Sequence, residues 1–173
     1  LHHNSYANLD NILAAEGLSA VHGILLDLGL SSLQLGSKNR GFSYRSEGPL
    51  DMRFDQSNGS GAGKLIDQTD RDSLAQIFKE YGEERLASRI AKSIKEMTAM
   101  NTIADLREAI RRCTPPNHRD RTFARIFQAL RIAVNRELDI LQQFLTKFID
   151  YLHPGGRIVI ISYHSLEDRL VKH

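Results

Sequence analysis

Two short apolar runs, residues 23–26 and 157–161, are each followed at once by polar side chains that could do chemistry. These side chains are Asp27, Ser31, Ser32 and Gln34 after the first run, and Ser162 and His164 after the second. Carboxylate, hydroxyl, amide and imidazole groups accept or donate hydrogen bonds, and some of them move protons. Ligands of open α/β sheets bind beyond the carboxyl ends of the strands. If both runs are strands of one parallel sheet, we expect the chemistry at that edge.

A purely structural interpretation of the first group stands beside the functional one. Asp27 can form a turn or cap a helix, or it can accept a hydrogen bond from a hydroxyl or amine of a ligand. Ser31 and Ser32 can simply end the strand. Residue type and position leave both interpretations open.

The spacing of the polar residues disfavours a serine hydrolase and a metal enzyme. His164, Ser165 and Asp168 are too crowded along the chain for a nucleophile and its base to face each other. The sequence also has no Gly-x-Ser-x-Gly elbow. The histidines lack metal-ligand spacing and Cys113 is the only cysteine, so we expect no bound metal.

The composition is that of an ordinary globular protein, with 41% hydrophobic and 25% charged residues among 173. The net charge of +2 does not identify a partner. No apolar run approaches the ~18 residues of a spanning helix, and no signal-peptide pattern is present, so we expect no membrane association. A single cysteine fits a reducing cytosol, which predicts a cytoplasmic protein.

Hydrophobic periodicity predicts an α/β chain in which helices separate two strands. The predicted elements are a helix over 10–17 with Asp10 as its N-cap, a strand over 23–27, a loop over 36–63, helices around 74–81, 86–94 and 102–112, a long helix from about 122 to 152, and a strand over 157–161. The intervening helices predict a parallel, right-handed connection. Because two strands do not make a stable sheet, either the N-terminal stretch adds a strand or the chain is part of a longer protein.

Two groups of residues in the predicted insertion between the strands are candidates for contacts with a partner. Asp51 and Arg53, in the long loop, form either a local salt bridge or a lid that brings two opposite charges to the sheet edge. Arginines gather between residues 107 and 125, among them Arg111, Arg112 and Arg119. They form either a solvated face or a surface that contacts phosphates, which the planar guanidinium suits.

A third group lies on the predicted long helix. Gln128, Arg131 and Asn135 are three and four residues apart, so they share one helix face away from the apolar stripe. That face is either a solvated edge or, if it flanks the strand ends, a set of substrate contacts.

Several motifs occur in a fixed order along nearly the whole chain. They are LDLGLSSLQL at 26–35, RGFSYR at 40–45, GPLDMR at 48–53, YGEER at 81–85, FQALRIAVNREL at 127–138, PGGR at 154–157 and HSLEDR at 164–169. Together they resemble the RsmH (MraW) family of small-subunit ribosomal RNA methyltransferases. That family transfers a methyl group from S-adenosylmethionine to the exocyclic amine (N4) of a cytosine in the decoding region of 16S RNA.

The resemblance implies a fold, a partner and a domain division. The fold is a partial Rossmann-like methyltransferase core with a helical insertion domain. Residues 1–34 and 122–173 would form the core, and residues 35–121 would form the substrate-binding insertion. The implied partner is small-subunit ribosomal RNA or the ribosomal subunit itself.

The resemblance also assigns roles to residues of this sequence. Asp27 and Gln34 match cofactor contacts of the family, and Tyr6 stands where the family has an aromatic residue near the adenine. Candidates for catalysis beside the acceptor amine are Ser31, Ser32, Ser162 and His164. Candidates for RNA contacts are Phe42 or Tyr44, as a base-stacking ring, with Asp51, Arg53, Arg111, Arg112, Arg119, Arg131 and Asn135.

The family carries two upstream cofactor-binding features, a glycine-rich loop after its first strand and an acidic residue after its second strand, and neither has a match in this sequence. We therefore expect these 173 residues alone to show poor cofactor affinity and no turnover. An exposed edge of an incomplete sheet predicts self-association into a homo-oligomer. The alternative function is a non-catalytic RNA-binding fragment, and only the enzyme would transfer a methyl group once the upstream half is restored.

Overall fold

The computed structural model describes residues 1–37 and 39–172, which divide into two compact units. The sheet unit comprises Leu1–Gly29 and the segment that begins at Arg136, and the helical unit comprises Leu30–Asn135. The sequence instead predicts boundaries after residues 34 and 121. The second boundary differs because the helix from residue 119 onward buries Phe123, Ile126 and Leu130 in the core of the helical unit.

Helices dominate both units. In chain order the helices are α1 (Leu9–Ala15), α2 (Ser32–Gly36), α3 (Ala62–Gln68), α4 (Arg71–Gly82), α5 (Ala87–Lys95), α6 (Ile103–Cys113), α7 (Arg119–Asn135), α8 (Glu137–Leu145) and α9 (Ser165–Lys172), and the strands are β1 (Val21–Asp27) and β2 (Leu152–Ile161). Short 3-10 turns cover Tyr6–Asn8, Pro116–His118 and Phe148–Tyr151. None of the helices in the described ranges is long and apolar enough to cross a bilayer.

The two strands pair in parallel, as the sequence predicts, and place Asp27 opposite Ile161. The register shifts between Val21 and Gly23, and β2 already begins at Leu152, so the Pro-Gly-Gly segment at 154–156 lies within the strand, which the sequence predicts only from residue 157. Within residues 1–37 and 39–172 no other strand joins this sheet, and the N-terminal stretch is helical. The option that this stretch supplies another strand is therefore wrong.

The two faces of the sheet differ in burial, because successive side chains of a strand point to opposite sides. The inner face packs against α8, α9 and the N-terminal turn. Its apolar cluster consists of Leu26 and Leu28 with Ile24, Ile158, Ile160, Leu141, Phe144, Leu145, Leu170 and Val171. Leu25, Val159 and Ile161 lie on the opposite face and are exposed.

The predicted long helix over 122–152 is wrong, because the chain breaks at Arg136. Arg136 has φ 52° and ψ 38°, a left-handed conformation that ends α7 and starts α8 in a new direction. α8 itself ends at Leu145, and Leu152 is the first residue of β2. The apolar 3.6-residue period runs through this break, so periodicity alone could not reveal it.

The first predicted helix is displaced by one or two residues. It begins at Leu9 after Asn8, so Asp10 lies in its first turn and is not the N-cap. The helix ends at Ala15, and Gly17, with φ 69°, lies just beyond it.

The helical unit is built around α4, which packs against α5 and α7. A Cβ at Gly82 would lie 2.7 Å from the carbonyl oxygen of Arg125, so glycine allows α4 and α7 to approach closely. The predicted loop before α3 is anchored to this core. It buries Phe42, Leu50 and Met52, and the N–H of Leu50 donates to the carbonyl of Asn101 at 2.9 Å.

Candidate functional site

The carboxyl ends of the two strands are joined by a hydrogen bond between Asp27 and Tyr163. Asp27 is the last residue of β1, and Tyr163 follows β2 by two residues, which puts it on the same side of the sheet as Ile161. The Tyr163 hydroxyl donates to Oδ1 of Asp27 at 3.0 Å. This hydrogen bond, helped by the carboxylate charge, raises the pKa of Tyr163 above its ordinary value.

Gly29 makes room for the Tyr163 ring. Its φ is 84°, a left-handed conformation that favours glycine. A Cβ at this position would lie 3.3 Å from Cδ2 of Tyr163, which is tighter than an ordinary contact. Sequence reasoning does not identify Tyr163, although its place in the polar segment directly after the second apolar run was a usable signal.

A buried carboxylate, Glu167, holds the turn that carries Tyr163. Its side chain is about 3% exposed, and Oε2 accepts a hydrogen bond of 2.8 Å from the backbone N–H of Tyr163. Burial acts to raise the pKa of Glu167, but hydrogen bonds from His164 and from the Tyr163 backbone outweigh it. The pKa of Glu167 therefore lies below its usual value, and the group stays ionised.

His164 lies at the start of α9, where its contacts are structural. Its Nδ1 accepts from the backbone N–H of Glu167 at 3.4 Å, and its Nε2 lies 3.3 Å from Oε1 of Glu167. With only 10% of its side chain exposed, the imidazole orients the turn and does not face solvent. Ser162, between β2 and Tyr163, is half-buried.

Tyr6 packs edge-on against Phe144 within the sheet unit, with ring centroids 5.4 Å apart and an interplanar angle of 83°. Burial first, then the charges of Glu137 and Glu167, raise the pKa of Tyr6 to about 12. The phenol is therefore neutral at any physiological pH. Tyr6 can offer an apolar ring and a hydroxyl, the properties expected of a contact to a purine.

Gln34, Ser31 and Ser32 lie in the helical unit, at the start of α2. Ser31 is the N-cap of this helix, since its hydroxyl accepts from the N–H of Gln34 at 3.2 Å. In return, Oε1 of Gln34 accepts from the N–H of Ser31 at 3.0 Å, completing a capping box. Ser31 therefore has a structural role, because its hydroxyl caps the helix. Ser32, in the first turn, is exposed.

The predicted base-stacking rings have different environments. Phe42 is 6% exposed and its ring lies 5.7 Å from that of Phe54, so it belongs to the core and cannot stack on a base. Tyr44 is half-buried and stacks on Phe123, with centroids 5.5 Å apart. The guanidinium of Arg45 also lies over the Tyr44 ring, at 5.5 Å, so this ring too is already packed and the predicted base stacking is not supported by its geometry.

Of the two alternatives for Asp51 and Arg53, a local salt bridge or a lid, the structure shows the salt bridge. Arg53 donates through Nε and Nη2 to the two carboxylate oxygens of Asp51, at 3.0 and 2.7 Å. Its Nη1 donates to three carbonyls of the same loop, those of Gln56, Asn58 and Gly59. The hydrogen bonds from Arg53 to the carboxylate lower the pKa of Asp51, and the pair stabilises the loop.

Asn135 at the end of α7 also anchors this loop. Its Nδ2 donates to the carbonyl of Met52 at 2.7 Å, and its Oδ1 accepts from the N–H of Phe54 at 2.7 Å. Because both ends of the amide are bound to backbone, the predicted substrate contact by Asn135 is not supported by its geometry. Arg131, one turn earlier on the same helix, is half-buried.

The three arginines predicted to contact RNA divide into different roles. Arg119 donates to the carbonyls of Thr114 and Arg111 at 3.2 and 3.4 Å, so it caps the carboxyl end of α6. Arg112 pairs with Glu108 across one helical turn at 3.4 Å. Arg111 is exposed and its guanidinium lies over the ring of Phe123.

Chemically, the strand ends of the sheet unit present an exposed carboxylate whose second oxygen, Oδ2 of Asp27, accepts no hydrogen bond from the part of the chain described. Such an oxygen can bind a hydroxyl or an ammonium group of a ligand. Within residues 1–37 and 39–172, no group of three or more His, Cys, Asp or Glu side chains is placed to hold a metal ion.

The sheet unit has the architecture of an open α/β fold, with parallel strands that carry polar residues at their carboxyl ends. Proteins of this class bind nucleotides and cofactors beyond those strand ends. The family model described as the MraW methylase family matches residues 1–173, and this chain belongs to that family. The family uses S-adenosylmethionine as methyl donor.

Curated relatives share nearly half of the residues. The protein named "Ribosomal RNA small subunit methyltransferase H" in Syntrophotalea carbinolica is 47% identical to this chain, over 99% of this chain and 57% of the relative. The proteins of that name in Desulforapulum autotrophicum and Acinetobacter baumannii are 45% and 44% identical, over 98% of this chain and 57% and 56% of the relative. The chain thus spans just over half the length of these relatives.

Proposed function

We propose that this protein is part of an enzyme that methylates the exocyclic amine of a cytosine in the decoding region of small-subunit ribosomal RNA. The supporting observation is the family match over residues 1–173, within which Asp27 stands exposed at the end of β1. The proposed partner is the RNA or the ribosomal subunit, and this substrate implies a cytoplasmic location.

The sheet unit fits one part of S-adenosylmethionine. Asp27 would bind a hydroxyl or the ammonium group through Oδ2, while Oδ1 keeps its hydrogen bond to Tyr163. The neutral Tyr6 ring, packed on Phe144, would contact the adenine. When bound, the cofactor supplies an electrophilic methyl group, and this chain's residues fix its position.

Gln34 supplies a different kind of group. Its carbonyl oxygen is occupied in the capping box of α2, which leaves its NH2 as the donor for a ligand. Because the capping box holds the side chain in one conformation, its donors are oriented before binding.

The acceptor amine requires positioning more than proton transfer. A cytosine amine is a weak nucleophile because its lone pair is delocalised into the ring, so the enzyme must hold it in line with the methyl group. Hydrogen-bond acceptors beside the amine hydrogens favour the pyramidal geometry of attack. In the sheet unit we assign this role to the hydroxyl of Ser162, with His164 as a positioning residue that shapes its turn. In the helical unit the separate candidate is the hydroxyl of Ser32, and Ser31 shapes the turn before it.

The target base must leave its stack to reach such a site. Single-stranded or looped RNA meets this requirement at lower energetic cost than a duplex. Phe42 is buried, and the Tyr44 ring is covered by Phe123 and by the guanidinium of Arg45, so base stacking by these two rings is not part of the proposal.

The test is the Asp27→Ala variant of the complete protein, with S-adenosylmethionine affinity measured by calorimetry. We expect binding to weaken by about 1–3 kcal/mol, the scale of a lost polar partner. Asp150→Ala, which removes another exposed carboxylate of the sheet unit, is the matched control and should bind normally. Unchanged affinity in Asp27→Ala would reject the cofactor assignment.

Radiolabelled methyl transfer to small-subunit RNA tests the reaction itself. RNA binding by the complete protein without any methyl transfer, at saturating cofactor, would favour the alternative of a non-catalytic RNA-binding protein.

A further inference from the structure

Two arginines and two aromatic rings of the helical unit form a continuous stack. The guanidinium carbon of Arg45 lies 5.5 Å from the ring centroid of Tyr44. Tyr44 stacks on Phe123 at 5.5 Å with an interplanar angle of 28°, and the guanidinium carbon of Arg111 lies 5.8 Å from the Phe123 centroid. We call these four residues the arginine–aromatic ladder. They come from the loop before α3, from α7 and from α6.

The rings at the centre of the ladder are held firmly. Phe123 is 5% exposed in the helical core, and Tyr44 also contacts the ring of Phe127, at 6.0 Å. Arg107 donates to the carbonyl of Tyr44 at 3.3 Å and pairs with Glu47, which ties this segment of the loop to α6. The two terminal arginines are therefore positioned by a fixed support.

The charges of Arg45 and Arg111 are not balanced by a carboxylate within the helical unit, as far as the structure describes it. Both are exposed, and neither pairs with a carboxylate in the described part of the chain. Carboxylates do pair with other arginines of the helical unit, among them Arg53, Arg71, Arg107, Arg112 and Arg125. The ladder thus ends in two guanidinium groups that no carboxylate of the described part of this unit neutralises, so both can pair with the charge of a bound anion.

Stacking leaves the guanidinium group able to bind an anion. The flat face of the group contacts the ring, whereas its N–H donors lie along the edge and match the oxygens of a phosphate. The aromatic support reduces the conformational freedom that a solvated arginine would lose on binding. Two such groups on one rigid support suit a ligand that carries more than one phosphate.

We propose that the arginine–aromatic ladder binds the phosphate backbone of single-stranded RNA through Arg45 and Arg111. This inference deepens the proposed function, because it assigns an RNA contact to a defined surface of the helical unit. Arg107 acts as a positioning residue, since it touches the ladder only through the Tyr44 backbone.

The test measures the binding of a fluorescently labelled single-stranded oligocytidine by anisotropy over a series of potassium chloride concentrations. Each phosphate contact contributes about 0.7 to the slope of log affinity against log salt for a single strand. Arg45→Gln and Arg111→Gln should each make the salt dependence shallower, reducing the magnitude of the slope by about 0.7. The double variant should reduce it by about twice as much.

Arg71→Gln is the matched control. Arg71 is an exposed arginine of the same unit, and its charge is already paired with Asp72 at 2.8 Å. Its substitution changes the net charge equally, so its slope should equal that of the wild type. An equal loss in Arg71→Gln would show that only overall charge matters and would overturn the proposal.

The lysine variants Arg45→Lys and Arg111→Lys separate charge from geometry. Lysine keeps the cation but lacks the planar fork, so we expect the salt slope to return while the affinity stays below that of the wild type. A wild-type slope in the double glutamine variant, with thermal denaturation showing an intact fold, would overturn the proposal. Cofactor affinity is measured independently, so failure of the ladder and failure of the Asp27 assignment are distinguishable.

Discussion

Tyr163 donates a 3.0 Å hydrogen bond to Asp27 although the two residues are 136 positions apart in sequence. The contact joins the carboxyl end of β1 to the turn that follows β2. The buried Glu167 holds that turn by accepting a hydrogen bond from the backbone N–H of Tyr163. Asp27, the proposed cofactor contact, is thus oriented by a residue at the end of the other strand.

The Asp27–Tyr163 contact predicts a change in tyrosine titration. Because the carboxylate of Asp27 raises the pKa of Tyr163, Asp27→Asn should bring that pKa down toward about 10, the value of an unperturbed tyrosine. Ultraviolet absorbance of tyrosinate measures it. Subtracting the curve of the matching Tyr163→Phe protein isolates Tyr163 from the other tyrosines, and an unmoved pKa would show that the hydrogen bond does not form in solution.

Gly29→Ala should destabilise the protein and displace Tyr163. A non-glycine residue in the left-handed region costs about 1–2 kcal/mol, and here the new Cβ would also crowd the ring at 3.3 Å. Gly17→Ala is the control, because Gly17 has φ 69° with nothing within 4 Å of an added Cβ. Urea denaturation should show a loss in both variants and a larger one in Gly29→Ala, and only the latter should change the Tyr163 titration.

Asp51→Asn should remove part of the acid sensitivity of the protein. The folded-state pKa of Asp51 is lowered, chiefly by its hydrogen bond with Arg53, so its stabilisation is present above the unfolded value of about 3.9 and is lost as pH falls through the folded value. The free energies of unfolding of wild type and variant, measured by urea denaturation, should therefore converge as the pH decreases below about 4. A constant difference down to the lowest pH would contradict the assignment.

Tyr6→Phe should reduce the sensitivity of the protein to alkali. The pKa of Tyr6 is raised to about 12, mainly by burial, whereas an unfolded tyrosine ionises near 10. Between these values the unfolded state binds fewer protons, so the free energy of unfolding falls as pH rises. Denaturation between about pH 10 and 12 should show a shallower decline in the variant, and identical slopes would place Tyr6 in a more solvated environment.

Much of the fold follows from local sequence. The short apolar runs predict β1 and β2, and the helices between them predict the parallel pairing. The helices α4, α5 and α6 follow from their apolar spacing. The ordered motifs indicate the family, which the match over residues 1–173 confirms. These features depend on periodicity and side-chain type within short windows, which the sequence displays directly.

The roles of individual polar residues were decided by tertiary contacts. Arg119 caps α6 and Asn135 binds the loop backbone, whereas Arg111 remains exposed on an aromatic ring. From the sequence, all three were equally good candidates for contacts with RNA. Their partners lie on other segments of the chain, so only the packed structure distinguishes an anchored side chain from one that can meet a ligand.

Sequence alone determined the strands, most helices and the family of this protein, because each depends on residue types and their spacing along the chain. Tertiary structure decided where the long helix breaks, at Arg136, and which residue orients Asp27. A left-handed arginine has no residue-type signature, and the Tyr163 contact exists only once the two strands are paired in register.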